Sequence, residues 1–152
     1  MKAKAILAGL GLVLGASYGT AVFAQAKPDV LVKQRQAAMT LQGKYFGPLA
    51  GMASGKVPYN AEVVARNAAF LDALNRMPWD GFTDNTKDEK TRALPSVFSE
   101  PGKFKEAADR SQAAVSALLK VSRGGDEAAV KAAIGDVNKS CGGCHDDFRA
   151  KQ

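Results

Sequence analysis

The chain has 152 residues, a length that suits one domain around one hydrophobic core and leaves little for a second. Its 21 Lys and Arg against 15 Asp and Glu give a formal charge of +6, but the bases are spread along the chain and interleaved with acids, which argues against a nucleic-acid-binding patch. One histidine and two cysteines leave no set of ligands from which a many-sided metal cage could be assembled.

At the N-terminus, Lys2 and Lys4 precede an apolar run from Ala5 to Gly15, and Val22-Phe23-Ala24 puts small residues at the two positions a signal peptidase reads. This predicts a secretory signal at residues 1–24, cleaved after Ala24, and a single domain at residues 25–152. The apolar run is shorter than the roughly 20 residues of a membrane-spanning helix, so no membrane anchor is expected after cleavage. Loss of Lys2 and Lys4 takes the formal charge from +6 to +4.

From Asp29 the residues Leu31, Arg35, Ala38, Met39, Leu41, Gln42, Tyr45 and Phe46 recur at helical spacing, with Pro28 suited to the first turn and Gly51, Gly55 and Pro58 to the end. Asn60 is a good N-cap for a second helix carrying Val63, Val64, Ala68, Phe70, Leu71 and Leu74, which Pro78 stops. Between Pro78 and Pro101 no period is sustained. Gly81, Asp84, Asn85 and Pro95 and the charged run Lys87 to Arg92 read as a long crossover, with a short helical turn near Val97, pinned to the core by Trp79, Phe82 and Phe98.

A third helix begins around Lys103 and carries Phe104, Ala108, Ala114, Val115, Leu118, Leu119 and Val121 until Gly124-Gly125 break it. Asp126 then caps a fourth. No strand alternation or internal repeat is present, so the pattern predicts an all-α fold, an antiparallel four-helix bundle with a long connection between its second and third helices.

The fourth helix holds the chemistry. Its apolar series Val130, Ile134, Val137 continues through Cys141, Cys144 and Phe148 in steps of four, three, four, three and four. The cysteines therefore extend the core stripe, and whatever they bind lies inside the bundle. They belong to Ser140-Cys141-Gly142-Gly143-Cys144-His145, which contains every cysteine and histidine of the chain. A disulfide between residues so close would constrain little of the unfolded chain. Zinc would be poorly caged by three ligands on about one helical turn, and a thioredoxin-type redox pair would want a βαβ context. Covalent haem attachment uses every soft ligand present: each thiol adds across a haem vinyl group and the adjacent histidine supplies the axial bond to iron.

The chain also resembles the cytochromes c-prime, exported single-haem proteins of bacteria. The resemblance rests on K-P-D-V-L-V-K-Q-R-Q-A-A-M-T-L in the first helix, A-L-N-R-M-P-W-D-G-F at the end of the second, F-S-E-P-G-K-F-K at the start of the third, and C-G-G-C-H-D-D-F-R. It covers the chain from Gln25 onward. That family is itself an example of the up-down-up-down bundle, so here the periodicity and the resemblance imply one architecture. The resemblance implies haem c bound through Cys141 and Cys144, with His145 as the proximal metal ligand. It places Met39 as a non-coordinating distal residue, Arg35 at a haem propionate, and Arg149 on the proximal side. It also implies a homodimer.

The function expected is that of a periplasmic class II c-type cytochrome with pentacoordinate iron, binding nitric oxide and carbon monoxide and exchanging electrons with an unidentified periplasmic donor. Buffering of nitric oxide is the expected role. The alternative is a six-coordinate electron carrier of the cytochrome c-556 type, with Met39 as the sixth ligand, since Met52 and Met77 fall near helix ends. An enzyme such as a peroxidase is not expected, because no histidine outside the haem motif is available as a distal acid/base.

Overall fold

The computed structural model describes residues 26–124 and 126–151. The predicted signal at 1–24 and Gly125, one of the two glycines expected to end the third helix, lie outside the described residues. Helix α1 (Pro28–Ala53) is followed by α2 (Ala61–Leu74), then by two single 3₁₀ turns, Trp79–Gly81 and Asp84–Thr86, and a short α3 (Ser96–Ser99) in the crossover. Helices α4 (Pro101–Val121) and α5 (Glu127–Phe148) complete the bundle. Among the described residues there is no strand, only an isolated antiparallel bridge between Ala93 and Arg149.

The helix boundaries follow local chemistry. Pro28 stands in the first turn of α1, and the chain leaves that helix through Gly55, whose φ of 73° is left-handed and suits glycine. The Asn60 side chain accepts a hydrogen bond from the Val63 N–H, and the Asp126 side chain accepts one from the Ala129 N–H, so both predicted N-caps are formed. Helix α1 runs on through Pro48, which has no N–H to give the Lys44 carbonyl. Nearby, the buried Asn67 amide of α2 donates to the Tyr45 carbonyl at 3.1 Å.

Helix α1 packs on α2 and α5, and α4 packs on α2 and α5, so the long helices stand at the corners of a square in an antiparallel up-down-up-down bundle. One core cluster joins all four through Leu49, Val64, Leu71, Leu118, Ile134 and Val137. A second, at the opposite end, holds Val97, Ala107 and Phe148, with Phe82, Phe98 and Phe104 against them. Trp79, Phe82, Phe104 and Phe148 form a chain of rings with successive centroids 6.4, 4.8 and 5.2 Å apart, which ties the crossover to α4 and α5. The crossover thus docks through the aromatic residues expected of it. Two positions of the predicted apolar stripes do not reach the core: Leu41 is 40% exposed and Phe70 43%. They lie on the outer face of α1 and α2, where Phe70 packs on Tyr45 with centroids 4.8 Å apart.

Replacing Asp126 by Ala removes the side-chain acceptor that caps α5. Equilibrium unfolding in urea should show a loss of about 1 kcal/mol with an unchanged slope.

Candidate haem site

Between the two core clusters lies a cavity of about 600 Å³, within the roughly 300–1,000 Å³ typical of cofactor sites. Every sequence-predicted site residue lines it: Arg35 and Met39 from α1, Cys141, Cys144 and His145 from α5, and Arg149 just beyond the end of α5. The period of α5 explains the placement of the thiols. Val130, Ile134, Val137 and Phe148 are buried, whereas the cysteines between them are half-buried because the stripe meets the cavity there. Cys141 packs against the first cluster and Cys144 against the second.

Burial pushes both thiols above the usual cysteine range, so they stay protonated in the folded chain. The half-buried His145 is held below its ordinary pKa, first by burial and then by the positive charges of Arg149 and Arg92. Neutral imidazole is the form that binds a metal. Among the described residues no three His, Cys, Asp or Glu side chains converge as a metal cluster. One imidazole beside two thiols suits an iron that brings its own four equatorial ligands.

Arg35 makes the most specific demand. It is 4% exposed and spans α1 and the crossover: its Nη1 donates to the Gly81 carbonyl at 2.7 Å and to the Thr86 hydroxyl at 2.9 Å. Its guanidinium carbon lies 4.2 Å from the centroid of the Phe82 ring. Gly81 is needed for this approach, since a Cβ there would come within 3.2 Å of the Leu31 carbonyl oxygen and 3.3 Å of the Arg35 Cβ. The Arg35 Nη2 is buried with no hydrogen-bond partner, and burial lowers the pKa of the group. A buried donor left unmet costs about 1–3 kcal/mol, more when charged, and a cofactor carboxylate meets that need. The residues present therefore fit a haem: two thiols for its vinyl edge, one imidazole for its iron and an unmet cation for a propionate.

A profile of the Cytochrome C' family matches residues 30–149. The chain belongs to the cytochrome c' family. Cytochrome c' from Rubrivivax gelatinosus is 42% identical over 126 residues, covering 82% of this chain and 98% of that one. The crystal structure of cytochrome c' from that organism superposes with a TM-score of 0.80 at 40% identity, covering 84% of this chain and all of the other. The nitric oxide complex of a leucine-to-alanine mutant of cytochrome c' from Alcaligenes xylosoxidans superposes with a TM-score of 0.78 at 35% identity, covering 85% and 100%. As a member of the cytochrome c' family, the chain carries one haem c, attached covalently through Cys141 and Cys144.

Sequence reasoning missed a latch at the end of α5. Three of the last carbonyls of the chain, which a helix terminus leaves without partners, are taken up by the crossover. The Ser96 hydroxyl donates to the Asp147 carbonyl at 3.1 Å and the Leu94 N–H to the Phe148 carbonyl at 3.0 Å. The Arg92 Nε and Nη2 donate to the Ala150 carbonyl at 3.1 and 2.6 Å, and the Ala150 N–H returns a bond to the Arg92 carbonyl at 2.8 Å. Arg92 also lines the cavity. In the sequence it was only one member of a charged run. Replacing Arg92 by Ala should cost about 0.5–1.5 kcal/mol and accelerate hydrogen exchange at the Leu94 and Ala150 amides, while amides in the middle of α4 keep their protection. Unchanged exchange at both amides would show that the backbone bridge holds alone.

Proposed function

We propose that the protein is a periplasmic class II c-type cytochrome, exported by its N-terminal signal, with His145 as the only protein ligand to iron and with nitric oxide and carbon monoxide as its ligands. Binding and buffering of nitric oxide is its role, with electron exchange through an unidentified periplasmic donor. The haem supplies, when bound, an iron with an open sixth position and a one-electron couple. The rest is the work of the chain. Cys141 and Cys144 fix one edge of the macrocycle, and the free Nη2 of Arg35 pairs with a propionate. Arg149 places a second cation near His145.

The observation that carries this reading is the wall opposite α5. His145 is the sole histidine of the chain, and across the cavity α1 and the crossover present Met39, Phe46 and Phe82 beside the neutral Gln36, Thr40 and Gln42, with no carboxylate or second imidazole among the described residues that line it. A neutral diatomic enters such a place at little desolvation cost. Met39 stands on α1 between the buried Arg35 and Ala38 before it and Gln42 after it, whose side-chain amide donates to the Leu74 carbonyl at 3.2 Å, so it acts as a steric lid that an incoming ligand pushes aside.

The six-coordinate alternative has one observation in its favour: among the described residues Met39 is the only methionine that lines the cavity, while Met52 is buried in the first core cluster and Met77 is 57% exposed. A homodimer would cover the outer α1–α2 face, where Leu41 and Phe70 are exposed.

Met39→Ala separates the two readings. Removal of the lid should make carbon monoxide bind faster and at least tenfold more tightly, the equivalent of about 1.4 kcal/mol of relieved crowding. The ferric absorption and magnetic spectra should keep their high-spin character or show only an admitted water. A low-spin ferric spectrum in the parent protein that Met39→Ala abolishes would establish methionine ligation and the electron-carrier reading instead.

A further inference from the structure

The cavity wall includes a buried polar pair that haem attachment, as described above, does not use. Asn75, at the end of α2, is 2% exposed, and Ser111, midway along α4, is 5% exposed. The Asn75 Nδ2 donates to the Ser111 Oγ at 3.2 Å, while the reverse contact from Ser111 Oγ to Asn75 Oδ1 is longer, at 3.4 Å. The Asn75 carbonyl is itself held by the Trp79 indole N–H. Both side chains line the cavity. Polar groups this deep are costly unless each has a partner, and an apolar pair of similar volume would pack the same seam.

The register of α4 against α5 shows what Ser111 faces. The two helices are antiparallel, and at one end the Phe104 and Phe148 rings meet with centroids 5.2 Å apart. Seven residues along α4 from Phe104 is Ser111, and seven residues back along α5 from Phe148 is Cys141. Seven residues make about two turns, so each step returns to the same face at the same height. Ser111 therefore stands across the seam from Cys141. The bond from Asn75 Nδ2 fixes the Ser111 oxygen, and the hydroxyl's own contact to Asn75 Oδ1 is long at 3.4 Å, so its proton can turn from that oxygen to the sulfur.

We infer that Ser111, set by Asn75, is a positioning residue for the Cys141 sulfur: its hydroxyl hydrogen-bonds the free thiol and then the thioether, and so fixes the direction of the C–S bond that seats the macrocycle. In the unattached chain, the nearby Ser111 and Ser140 hydroxyls pull the Cys141 thiol back toward ionisation against the larger effect of burial. On attachment the S–H adds across one vinyl C=C. Sulfur bonds the carbon nearer the ring, the hydrogen completes a methyl group on the outer carbon, and nothing is oxidised, reduced or released. The sulfur keeps lone pairs, so the Ser111 hydroxyl keeps its acceptor. The inference rests on covalent attachment through Cys141 and does not depend on whether Met39 ligates iron.

The test is a double-mutant cycle on holoprotein. Ser111→Ala should retain both thioethers by intact mass and lower the thermal midpoint by roughly 3–6 °C. In a Cys141→Ala background, with haem held by Cys144 alone, the same substitution should cost less than half as much. Equal losses in the two backgrounds would overturn the inference and leave Ser111 as a tie to Asn75 only. A second readout needs no cysteine variant. The Soret circular dichroism, which reports how asymmetrically the macrocycle is held, should weaken in Ser111→Ala and recover in Ser111→Thr, which restores the hydroxyl. A Soret signal identical in Ser111→Ala and the parent protein would also overturn it.

Discussion

The guanidinium of Arg35 is the constraint around which the open end of the bundle is arranged. Its Nη1 binds Gly81 and Thr86, which fixes both 3₁₀ turns of the crossover against α1, and its face lies over Phe82, which begins the contact with Phe104 and Phe148. One cation thus connects α1 to α4 and α5 through a loop of no regular structure. No carboxylate pairs with it among the described residues, and its Nη2 is buried without a partner. Buried charge without compensation opposes folding. The arrangement is coherent for a cytochrome c' because the cofactor brings carboxylates of its own, and in the proposed reading the group that orders the crossover also pairs with one of them.

The cofactor seat follows from helix periodicity. A stripe that buries Val130, Ile134 and Val137 must present the next two core positions on the same face, and those are the cysteines. Because the first core cluster ends near Cys141 and the second begins near Cys144, the macrocycle edge is fixed where the two clusters part. His145, one residue further, leaves the stripe but still lines the cavity, as do Arg92 and Arg149. The last turn that carries it is held by the crossover through Leu94, Ser96 and Arg92.

Much of this was legible in the sequence because it is local. Caps at Asn60 and Asp126, the left-handed Gly55 and the haem-binding spacing are each written within a few residues. The crossover's aromatic anchors could be named, as no other role suits Trp79, Phe82 and Phe98 in a stretch without a period. What escaped was non-local and polar. Ser96 and Arg92 look like solvated loop residues until the end of α5 arrives beside them, and Asn75 and Ser111 gain meaning only from the register of α4 on α5. Leu41 and Phe70 share the helical period of the core yet lie on the outer flank of a wide stripe, since spacing gives a face and not its depth. Arg35 and Met39 could be assigned to the site only by resemblance, because a four-residue spacing on α1 does not say which wall of the bundle it faces.

The cavity's electrostatics bear on which molecules it admits. Burial shifts Cys141, Cys144, His145 and Arg35 all in the direction that favours the neutral form, thiols upward and bases downward. The interior therefore disfavours charge in general, whatever its sign, except where the unmet Arg35 nitrogen offers a fixed counter-charge at one edge. A carboxylate tethered to the macrocycle can use that edge. A cation meets the like charges of Arg35, Arg92 and Arg149 along the cavity wall, while a free anion gives up its hydration for the neutral amides and hydroxyls of Gln36, Gln42 and Thr40 beside Met39, Phe46 and Phe82. A neutral diatomic gives up almost no hydration on entry, which agrees with the proposed choice of ligands. If Met39 stands over the iron as proposed, selection among small ligands is then made by how far its side chain must move.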